Sequence, residues 1–163
     1  MSSMLPKLND AELRARVRDH YDAYYAVLDD LLLEQWPAFF TEECLYRIVS
    51  RENFERGFPL STVQAESQGM LHDRVTGWRK TQMYAPRYYR RFPGPLRLEQ
   101  SAAGIRARHN LLMVQTLIDK QPEIILCGVC HDLLVEQDGQ LRFRERIVVF
   151  DNEMIANSLI YPA

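Results

Sequence analysis

The chain has 163 residues, the length of one domain rather than two, and at this size about 70% of the unfolded surface is buried on folding, so a core forms without disulfides or a structural metal. Hydrophobic residues at 47%, charged residues at 26% and a net charge of −2 describe an ordinary globule and exclude a general polyanion binder, whose footprint would be basic. No apolar run reaches the roughly 18 residues of a membrane span, and MSSMLPKLND has neither the basic nor the apolar region of a secretory leader, so a cytoplasmic protein with reduced cysteines is expected.

Asn9 and Glu12 stand three apart, as in a capping box, ahead of the apolar series Leu13, Val17, Tyr21, Tyr24, Leu28, Leu31. Steps of three and four predict a helix from about residue 10 to residue 33. A short turn over Gln35–Phe40 tolerates Pro37 in its first turn. Cys44–Ser50 reads as a strand, Arg51–Pro59 as a loop and Leu60–Ala65 as a short strand. From Glu66 the pattern is helical again, with Met70, Val75, Trp78 and Met83 as inward positions. Tyr84–Pro95 holds three prolines and a glycine and reads as a long loop.

Beyond it the chain is strands. Leu96–Ala103 and Ile105–Asp119 form one pair, broken at Gly104. Glu123–Glu136 and Leu141–Phe150 form another, joined through Asp138-Gly139, a strong hairpin signal. In the last strand Leu141, Phe143, Ile147 and Val149 alternate with Arg142, Arg144 and Arg146, which places the three arginines on one solvent-facing side. Helices followed by strands are the α+β signature, with helices on one face of a curved antiparallel sheet and arginines on the other. Residues 1–163 read as a single domain with no repeat or linker.

Of the 20 basic residues 17 are Arg and 3 are Lys. The planar guanidinium grips carboxylates bidentately and suits interfacial ion pairs; a GC-rich genome and subunit contacts both account for the excess.

Cys127-Gly128-Val129-Cys130-His131 spells the C-x-x-C-H of haem attachment. It lies within an apolar strand, EIILCGVCHDLLV, where residues three apart point to opposite faces. No helix follows to activate a thiol, and Cys44 alone cannot complete a zinc site. These residues therefore read as buried strand cysteines. His20, His72, His109 and His131 show neither the two-His, one-carboxylate set of mononuclear iron nor paired Rieske ligands. A buried acid–base group remains open, with Tyr24, Asp29, His72, Asp73 and His109 as candidates. The run Tyr88–Phe92 (YYRRF) could stack on bases, but a single basic run in an acidic chain reads better as a packed loop or a subunit contact, and no nucleic acid is expected.

Three stretches in order carry a further resemblance: EQWPAFFTEECLYRIVSRENFERGFPL (Glu34–Leu60), ESQGMLHDRV (Glu66–Val75) and DNEMIANSLIYPA (Asp151–Ala163). Together they resemble the small (beta) subunit of aromatic-ring-hydroxylating dioxygenases, in the pattern of salicylate 5-hydroxylase small subunits, with benzoate, anthranilate and terephthalate types more distant. The resemblance implies a cystatin-like cone, as in nuclear transport factor 2. It also implies a large subunit that carries the Rieske 2Fe-2S cluster and the mononuclear Fe(II), a three-plus-three hexamer containing a small-subunit trimer, and electrons from NADH through a reductase and often a ferredoxin. No cofactor, metal or catalytic residue is expected on this chain. Arg142, Arg144 and Arg146 are the candidate assembly surface. The alternative is a free-standing pocket enzyme, a dehydratase or isomerase, with Tyr24, His72 and Asp73 as its pocket candidates.

Overall fold

The computed structural model describes residues 10–81, 85–152 and 161–163. Helix α1 (Asp10–Asp29) buries Leu13, Val17, Tyr21, Tyr24, Tyr25 and Leu28, the predicted stripe widened by one tyrosine. It stops short of residue 33 because Leu31 adopts a left-handed φ of 56° that no helix continues. A 3-10 helix, Leu33–Phe39, follows and drives Trp36 into the core, where its indole N–H donates to the Tyr24 hydroxyl at 3.1 Å.

Strand β1 (Phe40–Ser50) runs into α2 (Arg51–Glu55), a single turn inside the segment expected to be loop. The Ser50 side chain caps it by accepting from the Asn53 N–H at 3.2 Å. Then come β2 (Val63–Ser67) and α3 (Gln68–Thr81). Here Val75 is buried and Trp78 packs on the core as expected, but Met70 is exposed and Leu71 takes the inward place. The stripe is therefore one residue out of phase at its start; Met83 lies outside the described residues.

The long loop expected over residues 84–95 is largely a strand, β3 (Arg87–Pro93). Its inward residues are Tyr89 and Arg91, so the apolar alternation that betrays a strand is missing from the sequence. Arg91 is tolerated inside because Nη1 meets Asp29 Oδ1 of α1 at 2.6 Å. Strands β4 (Arg97–Ser101), β5 (Gly104–Leu117), β6 (Glu123–Gln137) and β7 (Gln140–Phe150) complete the sheet. Asp138 and Gly139 turn the β6–β7 hairpin with φ of 53° and 75°, the type I′ geometry their residue types suit.

The seven strands form one sheet in the order β2–β1–β7–β6–β5–β3, with β4 on the same edge of β5 as β3. All pairs are antiparallel except β1 with β7. Curvature comes from bulges. In the β6–β7 ladder Leu133 faces Glu145 while Leu134 faces Phe143, so Arg144 is an extra residue. That insertion reverses the inside–outside alternation of β7: Leu141 and Phe143 point inward before it, Arg146, Val148 and Phe150 after it. The inner face wraps α1, and Tyr21, Tyr24, Phe40 and Phe143 meet there edge to face or tilted at 5.1–6.3 Å.

Candidate functional site

Two regions hold chemistry: the polar cluster inside the cone, and the outer face of the sheet. Inside, β7 supplies Arg146 and β6 supplies Asp132, both with fully buried side chains and 2.7 Å apart through Nη1 and Oδ2. The Tyr21 hydroxyl donates to the same oxygen at 2.5 Å. Arg146 Nη2 donates to the Tyr25 hydroxyl at 2.8 Å, and Nε to the Ala163 carbonyl at 3.3 Å. Its guanidinium also sits 4.6 Å from the Tyr24 ring centroid and 5.2 Å from that of Phe143. The Tyr25 hydroxyl lies 2.7 Å from Nε2 of His109 on β5.

Burial sets the ionisation here. It pushes the Asp132 carboxyl up to about 6 against the opposing pull of Arg146 and Tyr21, so the group is charged at neutral pH. Burial, helped by Arg146, pulls His109 down to about 3, which leaves it neutral; its hydrogen-bonding partner Tyr25 is pushed well above the tyrosine range. Burial likewise pushes the Cys130 thiol up to about 12. An ionised Asp132 held through Oδ2 by Arg146 and Tyr21 has no proton to give, while its Oδ1 and Nδ1 of His109 are buried without a partner among the described residues. Beside Arg146 the interior is filled by Tyr161–Ala163: the Ala163 N–H donates to the Tyr46 hydroxyl at 2.9 Å, and the Ala163 carbonyl accepts from Tyr24 at 3.1 Å. The Pro162 carbonyl accepts from Arg91 Nε at 3.2 Å.

The sequence-predicted pocket residues are not brought together. Tyr24 is fully buried beneath Trp36, while His72 and Asp73 are exposed on α3 because the stripe of Leu71 and Val75 turns them to solvent. Asp29 is spent on Arg91. Of the candidates His109 joins the cluster through Tyr25, and Tyr24 joins it through its ring on Arg146 and its bond to the Ala163 carbonyl. Asp132 was missed, although a carboxylate in the apolar run EIILCGVCHDLLV demands a buried partner. Among the described residues no three His, Cys, Asp or Glu side chains converge as a metal requires. Of the two cysteines of the C-x-x-C-H run expected to be buried, Cys130 is, but Cys127 is exposed on the outer face; Cys44 is buried as well.

The three arginines of β7 are also divided. Arg144 is exposed and Arg142 half-buried, donating to the Ala38 carbonyl. Arg146 belongs to the core and not to any surface, because the bulge at Arg144 reverses its face.

The outer face is open toward β3 and β4, whereas Val49 and Val149 on it are buried. Cross-strand pairs set its rows: Arg97–Arg108–His131–Ile147–Arg47 in one, and Asn110–Val129–Val149–Val49 in the next. Toward the β3 edge the rows become apolar and exposed, with Tyr88 at 62%, Phe92 at 56% and Ile124 at 65% of full exposure. Near the β4 end the face sinks into a concavity of about 520 Å³ with Phe54, Leu98 and Ile147 lining it beside Arg97, Arg106 and Arg108. Phe54 stacks on His131 there at 5.0 Å.

A family model described as a SnoaL-like domain matches residues 9–147. The anthranilate 1,2-dioxygenase small subunit of Burkholderia cepacia is 32% identical over 140 residues, covering 85% of this chain and 87% of that protein. The chain belongs to the SnoaL-like family, among the small subunits of aromatic-ring-hydroxylating dioxygenases. Subunit beta 1 of the terminal oxygenase component of terephthalate 1,2-dioxygenase from Comamonas sp is 31% identical, over 86% of this chain and 92% of that one. The crystal structure of a dioxygenase beta subunit from Novosphingobium aromaticivorans superposes with a TM-score of 0.84 at 30% identity, over 94% of this chain and 98% of the other. The SnoaL-like cone explains the N-terminal helix inside a curved sheet.

Proposed function

We propose that this chain is the small, non-catalytic subunit of a multicomponent Rieske non-haem iron oxygenase acting on a carboxylated aromatic ring of salicylate, benzoate or anthranilate type. The observation that carries the reading is the 32% identity to an anthranilate dioxygenase small subunit along 85% of the chain. A terephthalate dioxygenase subunit at 31% supports the same class of ring acid. The iron–sulfur cluster and the catalytic iron belong to a large subunit, and the assembly is three large and three small chains fed by a reductase and a ferredoxin in the cytoplasm. The pairing of Asp132 Oδ2 with Arg146 and of His109 Nε2 with Tyr25 supports a scaffolding role over a dehydratase or isomerase. The open outer sheet face is the assembly surface, with Arg142 and Arg144 at its margin.

The test is to purify the tagged chain from cells grown on an aromatic acid and to read mass and iron together. Co-purification of a larger iron–sulfur protein in equal stoichiometry is expected. Elution alone and without iron, under the same induction, overturns the reading.

A further inference from the structure

The hydrogen bonds inside the cone form a chain with an unpaired atom at each end. It runs from Asp132 Oδ2 to Arg146 Nη1 at 2.7 Å, from Arg146 Nη2 to the Tyr25 hydroxyl at 2.8 Å, and from that hydroxyl to His109 Nε2 at 2.7 Å. The second polar atom of each terminal side chain, Asp132 Oδ1 and His109 Nδ1, is buried without a partner among the described residues. Folded proteins seldom bear the cost of such atoms, and a bound water is the usual remedy where it finds two or more polar partners.

The two ends are neighbours in the sheet. The β5–β6 register sets His109 opposite Cys130 and Ala107 opposite Asp132. All four are buried at alternate positions of their strands, so they are the corners of one inward-facing square, with His109 and Asp132 on its diagonal. Diagonal residues of an antiparallel pair lie about 7–8 Å apart, and the other two corners, Ala107 and Cys130, carry small side chains. Tyr21 of α1 spans the same diagonal, its ring edge-on to His109 at 4.7 Å and its hydroxyl on Asp132 Oδ2. The ends are also complementary in kind. Arg146 gives the Tyr25 hydroxyl a hydrogen, which leaves the hydroxyl's own hydrogen for His109 Nε2. Burial and Arg146 keep the imidazole neutral, so its single hydrogen sits on Nδ1. Asp132 Oδ1, a carboxylate oxygen, only accepts. One end is a donor without an acceptor, and the other is an acceptor without a donor.

We propose that this square is a binding site for one water molecule, which accepts from His109 Nδ1–H, donates to Asp132 Oδ1 and closes the chain of bonds into a ring. The ring joins β5, β6, β7 and α1 at a single point. A metal ion is refused by Nδ1–H, which has no lone pair to offer, and an anion by the carboxylate. The site stands independently of the small-subunit reading.

A high-resolution crystal structure of the full chain and a nitrogen NMR spectrum of its histidines test the site. A single density peak about 2.7–3.2 Å from both atoms is expected, with His109 protonated at Nδ1 at neutral pH. Substitutions at Ala107, beside His109 and opposite Asp132, carry the test into solution. Ala107→Thr and Ala107→Val have the same shape, and both displace the water, but only threonine offers a hydroxyl in its place. The unfolding equilibrium constant of the valine variant should be about tenfold the larger of the two, because valine leaves both atoms unpaired. At an apolar core position the order is the reverse, since a buried hydroxyl then costs free energy. The smaller Ala107→Ser should fold in any case, lose the density peak and place Oγ within bonding distance of both atoms. An empty square, a direct bond between Nδ1 and Oδ1, a peak heavier than one oxygen, or a bare Nδ1 overturns the proposal. So does a valine variant as stable as the threonine one.

Discussion

Replacing Arg146 by methionine tests whether the interior cluster organises the fold. The side chain is fully buried and donates to Asp132, Tyr25 and Ala163, and four aromatic rings lie within 6 Å of its guanidinium. Methionine fills nearly the same length, so little cavity forms. What remains is a buried Asp132 with only Tyr21 as a side-chain partner. Breaking a buried pair by removing one partner costs about 3–5 kcal/mol. In a domain of this size each kcal/mol moves Tm by about 2–4 °C, so a drop of about 6–20 °C is expected. Asp132→Leu strands the opposite charge and should cost about as much. The double variant Arg146→Met with Asp132→Leu removes both charges and leaves the Tyr21 and Tyr25 hydroxyls short of a partner, at about 1 kcal/mol each. It should therefore be more stable than either single variant. Urea unfolding of the four proteins at pH 7 closes the cycle. Single changes within 1 kcal/mol of wild type, or effects that simply add, would refute the argument and return Arg146 to the surface role its alternation suggests.

Acid should destabilise the protein with a definite window. Burial lowers His109 to about 3 and, with Arg146 and Arg142, His20 to about 4, so the unfolded chain takes up these protons first as pH falls below about 6.5. The raised Asp132, near 6, works in the opposite sense below that pH. The net loss between pH 7 and 5 is about 2–3 kcal/mol; flat stability across that range in urea melts would contradict the burial of both imidazoles. Gly104→Ala should cost about 3 kcal/mol, because φ is 136° and the new Cβ would lie 2.3 Å from the Leu134 carbonyl. Gly57→Ala, with φ of 67° and open space around it, should cost about 1 kcal/mol, and equal losses by thermal melting would rule out the close approach at Gly104. An aromatic disulfide reagent should modify one thiol rapidly, the exposed Cys127, while Cys44 and Cys130 wait for unfolding; three equal rates would deny their burial.

The elements that sequence reading placed well are those whose inward residues are apolar. Leu13, Val17, Tyr21, Tyr24 and Leu28 mark α1 at helical spacing, and Asp138-Gly139 marks its hairpin by backbone preference alone. Reading failed wherever a charge faces inward. Arg91 hid β3 because its neutralising partner, Asp29, is far away in sequence, and Arg146 passed for a surface residue although Asp132 stands directly opposite it across the hairpin, because the bulge reverses its face. The bulge at Arg144 is equally silent, since an extra residue in a ladder is defined by its partner strand. His72 and Asp73 were attractive for their chemistry, but the phase of α3, set by Leu71 and Val75, turns them to solvent.

Both buried arginines do the same job at two points along α1. Arg91 fixes Asp29 near its C-terminal end from β3, and Arg146, with Asp132, engages Tyr21 and Tyr25 near its middle from β7. Apolar packing alone is tolerant of sliding, because Leu, Val and Tyr contacts are non-directional. Two buried cations tied to one helix at two places are not tolerant: a shift of one residue leaves Asp29 and Arg91 without each other inside the core, at several kcal/mol. The inner groups therefore serve registry, holding the helix at one depth in the cone.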